Sequence, residues 1–131
     1  MKYRKGLILM LLISLSLFCI TACSEENTLG YEQITQQQAK NIMDTEKDYI
    51  IIDARTNEEF AEGHIKNSIL IPEYEIATKA PEELPNKDAL ILVYCRSGRR
   101  SKIASEELVK LGYKNVKEFG GIIDWPYEIV K

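Results

Sequence analysis

Apolar positions along this chain fall into short continuous runs separated by segments with helical spacing. Tyr49-Ile50-Ile51-Ile52 and Ala89-Leu90-Ile91-Leu92-Val93-Tyr94 are unbroken apolar runs, and Ser68-Ile69-Leu70-Ile71, before Pro72, is a shorter one. Runs of that kind predict strands buried on both faces of a parallel sheet. Upstream of the first, Ala39, Ile42 and Met43 recur at helical spacing behind Ile34-Thr35-Gln36-Gln37-Gln38. Thr35 followed by Gln38 is a capping box, so a helix starts there. Thr56-Asn57-Glu58-Glu59 is a second capping box and opens a short helix that stops at Gly63. Pro81 and Pro85 interrupt the next segment, over which a helix from about Ile76 to Leu84 is predicted.

A further helix is predicted from about Arg99 to Leu111, ended by Gly112, with Ile103, Ala104, Leu108 and Leu111 as its inner face. Asn115 to Phe119 is the last expected strand and Gly120-Gly121 a turn, followed by a short helix containing Trp125. Trp125, Ile122 and Ile123 are expected in the core, and Tyr74 and Tyr94 as packing groups. No internal repeat or long linker divides the chain. Strands alternating with helices imply one α/β sandwich around a mostly parallel sheet. Sites in such sheets form beyond the carboxyl ends of the strands, where Arg55 and Cys95 both fall.

The first 22 residues read differently. Lys2, Arg4 and Lys5 precede an almost unbroken apolar stretch from Leu7 to Ile20, too short for a typical membrane span and ordinary for a secretory signal. Ile20-Thr21-Ala22-Cys23 then resembles the lipobox of bacterial lipoproteins, in which the cysteine is lipidated and becomes the new N-terminus. An ordinary cleavable signal or a retained helical anchor are the other readings. The expected organisation is a signal over 1–22, a lipidated Cys23 and polar tether over 23–30, and a folded domain over 31–131. The expected location is the extracytoplasmic face of the cell membrane.

Removing the signal changes the electrostatics. The 131 residues less 22 leave 109, and the 17 basic residues less three leave 14 against 20 acidic, a formal charge of −6. An acidic body with few basic clusters argues against nucleic-acid binding and against electrostatic adhesion to membranes. Of the three cysteines, Cys19 belongs to the signal and Cys23 to the lipid site, so Cys95 is the remaining thiol. An unpaired thiol in an exported protein calls for a functional explanation, although an inert core cysteine is the plain alternative.

The surroundings of that thiol favour chemistry. Cys95-Arg96-Ser97-Gly98-Arg99-Arg100-Ser101 links the strongest apolar run to a predicted helix. Arginine guanidinium groups and the positive end of a helix both favour S⁻ over S–H, whereas desolvation opposes them. A thiolate held in this way suits reaction with a small anion.

Taken together, Asp53-Ala54-Arg55, Glu59-Phe60, Gly63-His64-Ile65, the Cys95–Ser101 loop, and Gly120-Gly121 with Trp125 resemble a single-domain rhodanese over about Tyr31 to Val130. Rhodaneses are thiosulfate sulfurtransferases and related persulfide carriers. Asn67-Ser68 departs from the Gly-Ala of many members, at a turn away from the chemistry. The resemblance implies a three-layer α/β/α sandwich with about five strands, and Cys95 as the catalytic nucleophile that carries a persulfide. It also implies a substrate cradle from Arg96, Ser97, Gly98, Arg99, Arg100 and Ser101. Within it, Arg96 and Arg99 are expected to grip a dianionic donor, Arg100 to brace the loop and Ser101 to cap the next helix. Loop amides are expected to curl around Sγ, with Gly98 permitting the curl. Asp53 is expected to brace the site, and Arg55 to lie near its rim, held by Glu59. His64 is expected to be a structural loop residue. No cofactor or metal is implied, and the expected partners are a sulfur-donor anion and a thiol or cyanide acceptor, with the chain a monomer.

Several other chemistries are weighed against this one. A cysteine phosphatase loop needs arginine at position 101, where this chain has Ser101. A zinc site lacks ligands, since one histidine and one free thiol fall short of three or four. A Cys95–His64 pair would need the two side by side with an orienting partner. A lipid-anchored persulfide or oxyanion-binding module without turnover, and a thiol redox partner protein, remain as alternative functions.

Overall fold

The computed structural model describes residues 27–131. The signal segment and the Cys23 lipid site therefore lie outside the described residues. Five strands form one sheet: β1 (Glu32–Gln33), β2 (Ile50–Asp53), β3 (Ser68–Leu70), β4 (Leu90–Cys95) and β5 (Asn115–Gly121). Their spatial order is β1-β5-β4-β2-β3, and every pairing is parallel. Parallel neighbours need crossovers, which α1 (Gln36–Thr45), α2 (Asn57–Glu62), α3 (Ile76–Glu83) and α4 (Arg99–Lys110) provide.

The two capping boxes form as their sequences require. Thr35 accepts from the Gln38 amide while the Gln38 side chain accepts from the Thr35 amide, and Thr56 and Glu59 do the same at α2. Alternation along the central strands sends side chains to two separate cores. Ile52, Val93, Cys95 and Val116 pack with Ile76, Ala80, Ala104 and Leu108 of α3 and α4. Ile51, Leu92, Tyr94 and Phe119 pack with Ala39 of α1 and with Ile65 and Trp125. Helices cover both faces, which is why the central strands are apolar throughout instead of alternating with polar residues. Cys95 thus lies on the α4 face, at the carboxyl end of the central strand.

Four details differ from the sequence reading. Gly120-Gly121 continues β5 instead of turning, because the register carries on through a bulge to the pair Cys95–Gly121. A 3-10 turn over Ile122–Asp124 then precedes Trp125, where a short helix containing it was expected. Ile103 and Ile123 are exposed, and so is Tyr74 at 68%. On α4 the buried stripe is instead Ser101, Ala104, Ser105 and Leu108, of which the first three are small and let the start of the helix lie close against the sheet. The β1 strand was not anticipated, since two polar residues at an edge carry no apolar signal.

Candidate active site

The carboxyl end of β4 runs into α4 through the loop Cys95–Gly98. Gly98 caps the helix with φ 104°, a left-handed conformation that glycine adopts without the penalty of a Cβ. This turn brings the Gly98 amide back to donate to Cys95 Sγ at 3.0 Å. The expected ring of loop amides around the sulfur is therefore a single amide contact. Cys95 is 1% exposed, so its sulfur forms the floor of the loop instead of standing open at the surface.

From the other side the loop is held by β5. Ile123 N–H donates to Arg96 O at 3.2 Å, and Gly121 lies so close that a Cβ there would stand 2.1 Å from the same oxygen. Gln36, on the first turn of α1, donates through Nε2 to Gly121 O at 2.7 Å and pins the end of β5. Neither contact is visible in a linear reading.

The arginines divide into two kinds. Arg100 makes a two-pronged pair with Glu59, at 2.7 and 2.8 Å, and this ties α4 to α2. The bond from Arg100 holds the Glu59 carboxyl down at about 2, with Thr56 helping and burial opposing. The pair therefore stays ionised through the neutral and mildly acid range. Arg100 itself is raised, first by Glu59 and further by the nearby Cys95 and Asp53. Arg96 and Arg99 are exposed and have no ion pair among the described residues. Exposed guanidinium groups without an ion-pair partner are the chemistry that recognises small oxyanions.

Asp53 and Arg55 form a second, buried assembly. Asp53 is fully buried at the end of β2 and receives both Arg55 Nε and Nη2, the latter at 2.7 Å. Arg55 also donates to Gly63 O at 2.7 Å. Burial works against the Arg55 charge, but the Asp53 bond and charge outweigh it and hold the guanidinium above its ordinary value. Arg55 thus does not lie at the rim and is not held by Glu59. Glu59 faces Arg100, because the second capping box turns its carboxylate toward the start of α4.

Tyr94, expected only to pack, completes this network. Its hydroxyl donates to Asp53 Oδ2 at 2.7 Å and accepts from the Ile65 amide at 3.0 Å. Burial, together with the Asp53 charge, pushes its ionisation far up, so it remains a neutral donor. His64 stacks on Phe60 at 3.7 Å between ring centroids, and its backbone pairs with Val130. Those contacts fit a structural role.

Two residues under the thiol complete the site. Ser101 does not cap α4, since Gly98 is the cap and the Ser101 hydroxyl points inward instead. Cys95 Sγ–H donates to Ser101 Oγ at 3.3 Å, and Ser101 O–H donates to Glu118 Oε1 at 2.6 Å. Glu118, 3% exposed, was missed by sequence reasoning. The signal that would have found it is strand parity: it is two residues on from Val116, hence on the same face as Cys95. Among the described residues no cluster of histidine, cysteine and carboxylate side chains could hold a metal ion.

Comparison with known proteins agrees with this geometry. The family model "Rhodanese-like domain" matches residues 35–126. The chain is 38% identical over 100 residues to a sulfurtransferase of Allochromatium vinosum, covering 76% of this chain and 87% of that one. It is 36% identical over 73 residues to the thiosulfate sulfurtransferase PspE of Escherichia coli, covering 56% of this chain and 70% of that protein. Among solved structures, a rhodanese from E. coli, determined with anions, superposes with a TM-score of 0.60 at 34% identity, over 63% of this chain and 98% of that one. A rhodanese-related protein from Thermoplasma volcanium gives 0.66 at 32% identity, over 76% and 98%. With its all-parallel five-stranded sheet, its cysteine loop at the end of β4 and these relatives, the chain belongs to the family of rhodanese-like domains, among the sulfurtransferases.

Proposed function

We propose that this protein moves a sulfane sulfur from thiosulfate or a related anionic donor, through a persulfide on Cys95, to a thiol or cyanide acceptor. The Cys95 thiolate attacks the donor's outer sulfur. The bond from that sulfur to sulfite breaks, and sulfite leaves with the electron pair. The enzyme is left as Cys95–S–S⁻. An acceptor thiolate then attacks the terminal sulfur and Cys95 thiolate departs, so the kinetics are ping-pong. The single observation that supports this most is the floor of the loop, where Sγ meets the Gly98 amide in a segment that also carries two exposed arginines without an ion pair. Donors of this kind pre-organised at a developing negative charge are the main catalytic asset of such a site. The burial of Cys95 also disfavours a redox partner that must form a mixed disulfide with another protein.

The proposal extends to location: a lipid on Cys23 would anchor the domain at the extracytoplasmic face of the membrane. Intact-mass measurement on protein taken from membranes tests both parts. Incubation with thiosulfate should add one sulfur that cyanide removes, on a chain that starts at a lipidated Cys23. A chain that gains no sulfur would end the transfer reading. Sulfur that cyanide cannot remove would point to a binding module without turnover, and an unlipidated N-terminus would end the anchoring.

Arg99 offers a finer test. Arg99→Ala should raise the thiosulfate KM by roughly tenfold, the loss of one charge-assisted contact of about 1.4 kcal/mol. A neutral persulfide donor should be affected much less. Steady-state assays with both donors check this, and equal losses for the two would remove Arg99 from donor binding.

A further inference from the structure

Glu118 is a buried acid that none of the steps above uses. Strand parity points it at α4, and the register sets it opposite Val93, two residues before Cys95. Two donors meet at its Oε1: Ser101 O–H at 2.6 Å and the Gly120 amide at 2.8 Å. The Ser101 hydroxyl has one proton but three oxygens within reach, the others being Gly98 O at 3.0 Å and Gly120 O at 3.5 Å. The carboxylate is both the nearest and the only charged one, so the proton is committed there. Ser101 can then only accept from Cys95 Sγ–H, and in this arrangement it offers the sulfur no donor.

We propose that Glu118 is the positioning residue that holds the Cys95 proton during sulfur transfer, acting through Ser101. This rests on Cys95 being the nucleophile. The Sγ–H bond breaks and its proton moves to Ser101 Oγ, while the Ser101 proton moves to Glu118 Oε1. Cys95 is then a thiolate and Glu118 a neutral carboxylic acid. Every hydrogen bond in the chain reverses and none is lost: Glu118 O–H donates to Ser101 Oγ, and Ser101 O–H now donates to the sulfur. When the acceptor has taken the terminal sulfur and Cys95 thiolate is released, the proton returns by the same route.

Charge is the physical reason for the hand-off. Sγ and the carboxylate can be no further apart than the two hydrogen bonds between them, in a buried setting where two anions repel strongly. Moving one proton keeps the pair at a single negative charge throughout, and shifts that charge from the carboxylate to the sulfur. The other charged groups around the sulfur stay as they are. They are Arg96 and Arg99 of the loop, Arg100 on α4 with Glu59 on α2 behind it, and Asp53 with Arg55 at the end of β2.

The test is the pH profile of single-turnover persulfide formation, quenched and read by intact mass, from about pH 5 to about pH 9. Thiosulfate keeps its charge over that range. In the native protein the thiolate forms without exchange with solvent, so the rate should be nearly flat. Glu118→Gln keeps an oxygen for Ser101 and Gly120 but cannot take a proton. Its rate should fall about tenfold per pH unit on the acid side, and Ser101→Ala should follow it. A Glu118→Gln protein with the native flat profile, or faster than native at low pH as expected if the carboxylate merely repelled the thiolate, overturns the relay. Infrared difference spectra of the native protein before and after loading provide a readout that does not depend on a variant folding. Loading should bring up a protonated-carboxyl C=O stretch; loading without that band overturns the relay. If the native protein takes up no sulfur at all, it is the transfer reading that fails.

Discussion

Cys95→Ser is expected to abolish sulfur transfer while leaving the domain folded: kcat/KM for thiosulfate and cyanide should fall at least about a thousandfold, or about 4 kcal/mol of transition-state stabilisation. A serine hydroxyl at this position is a far weaker nucleophile and cannot form the persulfide on which the proposed half-reactions depend. The fold has little reason to fail. The side chain is 1% exposed at the bottom of the loop, and its polar neighbours are the Gly98 amide and the Ser101 hydroxyl. Serine can accept from the first and donate to the second, so no buried group is left without a partner. A cost of about 1 kcal/mol is expected, which lowers Tm by roughly 4–8 °C in a domain of this size. Thiocyanate formation and a thermal melt read the two quantities. Activity above a tenth of native in the folded variant would remove Cys95 from the chemistry.

The same distinction between groups that react and groups that hold runs through the charged residues. Four arginines lie at the carboxyl end of the sheet, and two of them are already engaged. Arg55 is locked into Asp53 and Gly63, and Arg100 into Glu59. Buried pairs of the first kind add little net stability but cost several kcal/mol when one partner is removed. Here the first fixes the end of β2 to Gly63 after α2, and the second ties α4 to α2. Arg96 and Arg99, exposed in the loop that carries Cys95, keep positive charge that no ion pair among the described residues neutralises.

Most of the fold was legible because its signals are local. The apolar runs of β2 and β4 need helices on both faces, and the Thr35 and Thr56 capping boxes fix where two of those helices begin. The cysteine loop was legible for a related reason, since Arg96 to Ser101 are contiguous with Cys95. What escaped was set by contacts between distant segments. Glu59 was assigned to Arg55, four residues away, whereas it reaches Arg100, which is 41 positions on. Tyr94 reads as one more apolar strand residue until its hydroxyl meets Asp53. Ile103 fits a helical stripe but faces solvent, because the sheet accepts only the small side chains of Ser101, Ala104 and Ser105 at that distance. Gly120-Gly121 reads as a turn by composition, yet the pairing of β5 with β4 runs through it.

That pairing makes Gly121→Ala the harshest single-methyl change expected in the domain. Backbone conformation is not the obstacle: at φ −123° and ψ 150° any residue is comfortable. Space is. The new Cβ would stand 2.1 Å from Arg96 O, 2.5 Å from its carbonyl carbon and 2.6 Å from Ser97 Cα, all of them backbone atoms that no rotamer change can clear. The loop has to move outward by roughly 1 Å, a displacement that typically costs about a hundredfold in rate when it affects reacting groups. Overpacking of this severity should also cost about 3 kcal/mol. Gly112→Ala separates the two effects. Gly112 has φ +94° with nothing within 4 Å of the added methyl, so alanine there strains only its own backbone, at about 1–2 kcal/mol. We expect Gly112→Ala to melt earlier with native kcat/KM, and Gly121→Ala to lose both stability and sulfur transfer. A Gly121→Ala protein with native kinetics and Tm would mean that β5 does not press against the cysteine loop.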